Sequence, residues 1–255
     1  MSSLRMRYLD EIRSERARLR IRENAIFTER DIAALPRPVQ RYFRSCGYLG
    51  ARKQLYARIQ WAEVRMRFSD KGRWQRMVCS EFLAVPEPVR IAHLRTHAAS
   101  LIPIDAIDKY QGGHGNMLIR LANAITLQDV RGTEMDQSAL VTFLSECLLL
   151  PAIALQPYLR WSDVSEDCAL ATISYMGTTA SGWFHFNERG ECVLFETDHR
   201  WKTLKGGKLK RVPWRVQLSE YEVDGYVLHP GKASAYWVQN GASQEYFTGK
   251  IRNIV

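Results

Sequence analysis

The stretch ATISYMGTTASGWFHFNERGECVLFETDHR, residues 171–200, reads as strand, turn, strand, turn, strand. In its middle segment Phe184 and Phe186 fall on one face, with Trp183 and His185 on the other, as a period of two requires. Met176-Gly177 and Asn187-Glu188-Arg189-Gly190 supply the turns. The rhythm continues to Ile254, with strands expected near 168–176, 180–187, 191–201, 210–223, 226–229, 233–239 and 244–254. Lys205-Gly206-Gly207-Lys208, Asp224-Gly225 and Asn240-Gly241 punctuate them. Turn signals this regular mark a sandwich, a barrel or a strongly curved meander.

Upstream the period is again two. Leu55, Ala57, Ile59 and Trp61 share a phase that slips to Val64, Met66 and Phe68, which predicts a bulge near Ala62–Glu63. Ser69-Asp70-Lys71-Gly72 turns the chain into a strand from Trp74 to Val85, and Pro86-Glu87-Pro88 breaks it. Val89 to Ala98 is a third strand, Ile102-Pro103-Ile104-Asp105 reads as irregular, and Asn116 to Leu121 alternates after Gly112-Gly113-His114-Gly115.

Helical periodicity appears in two places. Leu4, Tyr8 and Ile12 recur every four residues in a charged helix over 3–23. Thr28 with Asp31 forms a capping-box pattern, and Pro38 suits the first turn of a helix through Val39, Tyr42 and Phe43 that Gly47 can end. Between the strand runs, Leu140, Phe143, Leu144, Cys147 and Leu148 predict an apolar helix face over 136–150, stopped by Pro151. The expected architecture is α+β: an N-terminal helical segment (1–47), then a large, curved, mostly antiparallel sheet (48–255) with one inserted helix near 136–150, all one domain.

Composition narrows the function classes. A hydrophobic fraction of 46% and a charged fraction of 25% belong to an ordinary globular chain. The first thirty residues carry eight arginines and five acids, which is no secretory signal, and Leu140–Leu159 is too interrupted by Glu146, Pro151 and Pro157 to cross a membrane. Five scattered cysteines without a CxxC suggest buried, reduced thiols, and with them a cytoplasmic protein. The net charge is +9, and seven basic residues with no acid lie between His199 and Ser219. That basic hairpin is either a solvated edge or a contact for an anionic group.

Known catalytic patterns are missing: no GxSxG, no phosphate-loop signature, no cysteine-nucleophile or kinase set. His93 and His97 have the spacing of a metal pair, but on a strand such residues stand about 13 Å apart; no metal or cofactor is expected. His114, with Asp105 or Asp108 nearby in sequence, is the acid–base candidate. Glu146 is read as exposed or paired with an arginine, its alternative being a buried acid with a displaced pKa. The many aromatic residues from Trp161 to Phe247 could line a cavity for an amphiphilic ligand, or simply pack.

Leu35-Pro36-Arg37-Pro38-Val39-Gln40-Arg41-Tyr42 resembles the opening signature (LPxPVQRY) of a widespread bacterial family, a domain of unknown function. Further pieces follow in order: Asp108-Lys109-Tyr110, Gly113-His114-Gly115-Asn116, Leu150-Pro151-Ala152, Arg160-Trp161, Phe184-His185-Phe186, Pro213-Trp214, and Trp237 with Tyr246. The resemblance covers about 35–254 and implies architecture and candidate positions rather than a reaction. Many members have an N-terminal membrane segment, where this chain has a charged helix. The layout is also loosely similar to the half-barrel of bacterial lipoprotein carriers. The leading expectation is a non-enzymatic protein holding an apolar or amphiphilic small molecule between sheet and helix, with Arg41, Tyr110, His114, Arg200 and Trp214 as polar contacts at the mouth. An acid–base enzyme centred on His114 ranks second. Contact of hairpin 199–219 with an anionic surface or nucleic acid ranks last, because the aromatic residues form no stacking platform.

Overall fold

The computed structural model describes residues 3–19, 25–69, 72–98, 101–203 and 209–254. Residues 20–23 of the expected first helix, Asp70-Lys71 of the first turn, and Lys205, Lys208 and the turn they bound lie outside the described residues.

Three helices come first: α1 (Leu4–Arg18), α2 (Glu29–Ile32) and α3 (Arg37–Ser45). The Thr28 N–H donates to Asp31 Oδ2 at 2.7 Å, completing the expected N-terminal cap, and Pro38 occupies the first turn of α3. A meander follows: β1 (Tyr56–Met66), β2 (Gln75–Ala84), β3 (Val89–Ala98), β4 (Ile102–Gln111), β5 (His114–Leu121) and β6 (Ile125–Val130). Helix α4 (Thr133–Ser145) and a 3-10 turn (Pro151–Leu155) lead to β7 (Leu159–Asp163), β8 (Cys168–Tyr175), β9 (Thr178–Phe186) and β10 (Cys192–Thr197). A two-stranded ribbon, β11 (Trp201–Thr203) with β12 (Leu209–Arg211), precedes β13 (Trp214–Asp224), β14 (Val227–Gln239) and β15 (Ala242–Ile254).

All strands but the ribbon form one curved antiparallel sheet of 13, in the order β6-β5-β4-β3-β2-β1-β15-β14-β13-β10-β9-β8-β7. The fold class is therefore the expected one. Two meanders meet where β15 pairs with β1, and the sheet stays open between β6 and β7. Helix α4 connects those edges in sequence and packs against β4 and β5 from one meander and β8 and β9 from the other. It lies in the concavity, and every residue from Ser138 to Ser145 is buried. The expected single apolar face is thus a helix enclosed on all sides. Its small polar residues Ser138, Thr142 and Ser145 look into a space that the sheet does not fill.

The helices of 1–47 do not pack as a unit. Leu4, Tyr8 and Ile12 of α1 cover the convex face, against Phe82, Ile91, Ile107 and Leu118. Val39, Tyr42 and Phe43 of α3 join the main core with Leu140, Phe143 and Phe184.

Several boundaries differ from expectation. Ile102–Asp105 is not irregular: it opens β4, and Pro103 is tolerated because it stands at the strand's end. The break expected around Pro230-Gly231 is absent, and β14 runs through it. Gly231 has no Cβ to meet the Glu220 carbonyl, which would lie 2.3 Å away, and Glu220 itself has φ +53°. Strand β6 gave no clear alternation, and the helix at 136–150 begins and ends earlier, at 133–145. The bulge near Ala62–Glu63 is where the phase slip placed it, with Glu63 at φ +51°.

Candidate functional site

Between α4 and the concave face lies a cavity of about 350 Å³, within the range of small-molecule sites. Alternation places its walls: Trp61 on β1, Val216 and Leu218 on β13, Ala233 and Ala235 on β14, and Phe247 on β15. Met135, Ala139 and Leu149 line it from the helical side. The ring of Trp61 meets Phe247 edge-on at 5.6 Å, and Trp237 stacks on Tyr246 at 5.5 Å.

The floor is charged. Arg90 on β3 donates hydrogen bonds to Asp108 at 2.9 Å and Glu146 at 2.8 Å and forms an ion pair with Glu81 at 2.7 Å. The register explains the convergence. Arg90 stands opposite Leu83 and Tyr110, while Glu81 and Asp108 both stand opposite Ala92, so the two acids are diagonal neighbours of Arg90 on one face. Trp61 Nε1 also donates to Glu81, at 3.1 Å. Three acids around one buried cation leave excess negative charge. Desolvation and the charge of Glu81 push the Glu146 carboxyl well above its usual range despite Arg90, which favours its protonated form. Cys79, beside the cluster, is held as a thiol by burial and by Glu81.

The mouth is basic and aromatic. Arg200, entering the ribbon, lays its guanidinium 4.2 Å from the Trp214 ring centre and 5.8 Å from that of Trp237. Its Nη1 donates to the Ser138 carbonyl at 2.9 Å and to Thr142 Oγ1, tying the ribbon to α4, while its buried Nε–H has no acceptor among the described residues. Trp214 Nε1 donates to Tyr246 OH at 3.0 Å. Trp201, Lys202 and Leu209 of the ribbon complete this side, and Arg67 and Phe68 the other.

Of the residues expected at the mouth, Arg200 and Trp214 line the cavity. The other three stand elsewhere. Arg41 donates to the Asn187 carbonyl at 3.3 Å. Tyr110 is fully buried in the core, its hydroxyl without a partner among the described residues, and burial raises its pKa. His114 is 84% exposed, and its carboxylate neighbour is Asp136, at 3.6 Å. Asp105 and Asp108 are not brought to it. Three residues apart on β4, they point to opposite faces: Asp108 into the cavity, Asp105 to His93 at 3.0 Å on the α1 side. Burial lowers the His93 pKa, and the ring stacks on Tyr8. His97 follows on the same strand, and no cluster of three or more His, Cys, Asp or Glu side chains suited to a metal occurs among the described residues.

Of the basic hairpin, Arg200 and Lys202 face the cavity, Arg211 bonds Gln137, and Arg215 pairs with Glu196. All five cysteines are buried. No described helix is long and apolar enough to cross a membrane. Sequence reasoning missed Glu81, Arg90 and Trp61. The available signal was a charged residue on the inward phase of an apolar strand, as in Cys79-Ser80-Glu81-Phe82-Leu83 and Val89-Arg90-Ile91-Ala92.

Comparison with known proteins gives a family and distant likenesses of fold. The profile of a family described as "Family of unknown function (DUF6544)" matches residues 25–249. No curated protein is a significant match. A LolA superfamily protein from Nitrosomonas europaea is similar over 85% of this chain and 92% of its own, with 9% identity and a TM-score of 0.45. A DUF1329 family protein from Desulfovibrio piger is similar over 85% and 90%, with 9% identity and a TM-score of 0.41. A putative outer membrane lipoprotein-sorting protein domain from Vibrio parahaemolyticus is similar over 78% and 84%, with 6% identity and a TM-score of 0.37.

Proposed function

As this chain belongs to the family of unknown function DUF6544, we propose that it is a binding protein holding one amphiphilic small molecule between α4 and the concave face of the sheet. The observation that carries the reading is the cavity itself: about 350 Å³ of space walled mainly by aromatic and aliphatic side chains. A solid core would have placed protein atoms there, since interiors otherwise pack at crystal-like density.

Electrostatics sets the orientation. Arg90 is already matched by Glu81, Asp108 and Glu146, so the floor offers an anion nothing. The mouth offers Arg200, with one N–H unsatisfied among the described residues, and Lys202. The ligand therefore enters apolar end first, its body against Trp61, Leu218 and Phe247, and leaves an acceptor or anionic group beside Arg200. Such a group gains a charge-assisted hydrogen bond. No bond-making step is part of this reading.

Native mass spectrometry of freshly purified protein is expected to show a bound small molecule, or one-to-one uptake of an added fluorescent fatty acid with quenching of tryptophan emission. Arg200→Gln should weaken that uptake by about tenfold, the scale of one charge-assisted bond. Ligand-free spectra together with no uptake of the fatty acid would remove the proposal.

A further inference from the structure

We infer that the end of the sheet bearing the cavity mouth is a docking face for an anionic phospholipid bilayer, built on the β1–β2 tip and flanked by the β3–β4 and β5–β6 tips. The inference does not depend on what fills the cavity.

The topology brings the three tips together. In an antiparallel meander successive turns alternate between the two ends, so these three, one turn in every two, share an end. Their described residues are unusually apolar for a surface. Phe68 is 55% exposed, Trp74 37%, Leu101 83% and Ile125 59%. Isolated exposed apolar residues are ordinary; a set on consecutive hairpin tips marks an interaction surface.

The charge around them selects the partner. Residues 64–78 contain Arg65, Arg67, Lys71, Arg73 and Arg76 against a single acid, Asp70. Arg65, Arg73 and Arg76 are exposed, and no carboxylate pairs with them among the described residues. The guanidinium of Arg67 lies 4.6 Å from the Trp74 ring centre and that of Arg65 lies 6.0 Å from it. Cations beside a half-exposed indole, with Phe68 alongside, supply both halves of an interfacial anchor. The rings suit the headgroup boundary, and the arginines suit lipid phosphates.

Position adds a third argument. Arg67 and Phe68 also line the cavity, so the β1–β2 tip borders it rather than lying at a distance. Docking there would set the opening against the lipid surface. Of the arginines on the β1–β2 tip, Arg67 donates through Nε and Nη2 to the Glu245 carbonyl, which leaves the exposed Arg65, Arg73 and Arg76 for lipid phosphates.

Sedimentation with phosphatidylcholine vesicles, with and without phosphatidylglycerol, tests the inference. Binding is expected only to the anionic vesicles and should fall steeply with added salt. The double variant Phe68→Ser/Trp74→Ser should reduce it about tenfold, in line with losing two interfacial side chains. Arg73→Gln/Arg76→Gln alters only exposed side chains and keeps the test valid if the first variant misfolds; it should also weaken binding severalfold. Tyr226→Ser, at the β13–β14 turn on the other end, should bind as wild type. Equal binding to neutral vesicles, unchanged binding by the tip variants, an equal loss with Tyr226→Ser, or pelleting without vesicles through self-association would each overturn the inference.

Discussion

Arg90 is the residue on which the interior depends most. It offsets the charges of Glu81 and Asp108 and hydrogen-bonds Glu146, where each acid alone would carry a large desolvation cost. Arg90→Met should therefore cost about 3–5 kcal/mol in chemical denaturation, because it strands the Glu81 and Asp108 carboxylates and leaves Glu146 without its donor. Glu146→Gln keeps the shape and mimics the protonated form that burial favours, so it should match wild type within about 1 kcal/mol near pH 4.5 and be the more stable of the two at neutral pH. Equal losses in the two variants would contradict the charge state assigned to Glu146. The same residue fixes a pH slope. Above the ordinary value of 4.5 the unfolded chain has released this proton while folded Glu146 holds it. Unfolding then releases a proton, so this contribution to stability falls as pH rises from 4.5 until Glu146 itself ionises. Denaturation midpoints across that window should decline less in Glu146→Gln than in wild type; parallel curves would refute the assignment.

At the level of elements, α4 decides whether the concavity encloses space. Its approach to β5 depends on Gly115, where a Cβ would lie 2.4 Å from the Met135 carbonyl and 2.8 Å from the Ala139 methyl. The Gly115 N–H also donates to Asp136 at 2.7 Å. Gly115→Ala should push the helix outward, costing about 1–3 kcal/mol as an overpacked contact does. Thermal melting would register the loss, and an unchanged melting temperature would mean that α4 is not seated as described. The helix was legible from Leu140, Phe143, Leu144 and Leu148, and the sheet from alternation and turn residues, because both signals are local. The charged floor was not. Glu81, Arg90 and Asp108 come from three strands, and their meeting depends on a register that no single segment encodes. Arg200 and Trp214, which flank a visible hairpin and belong to the motif likeness as well, line the cavity. Tyr110, Arg41 and His114 were drawn from motif likeness, which does not say which way a side chain points.

For the molecule as a whole, the seam between the two meanders stands out. Pairing within each meander joins neighbours in sequence, whereas β1 meets β15 through partners such as Ile59 and Ile254. Contacts so remote in sequence form late, since a long loop must close first. On a ribosome, β1 would emerge with one row of backbone groups unpaired and stay so while the rest of the sheet was made. At about 5–20 residues per second that interval lasts on the order of ten seconds or more. During it the strand carrying Trp61 is a template for any passing chain. The hazard of aggregation at β1 thus belongs to the protein's birth, and a chaperone that shields a strand edge is the help it would need most then.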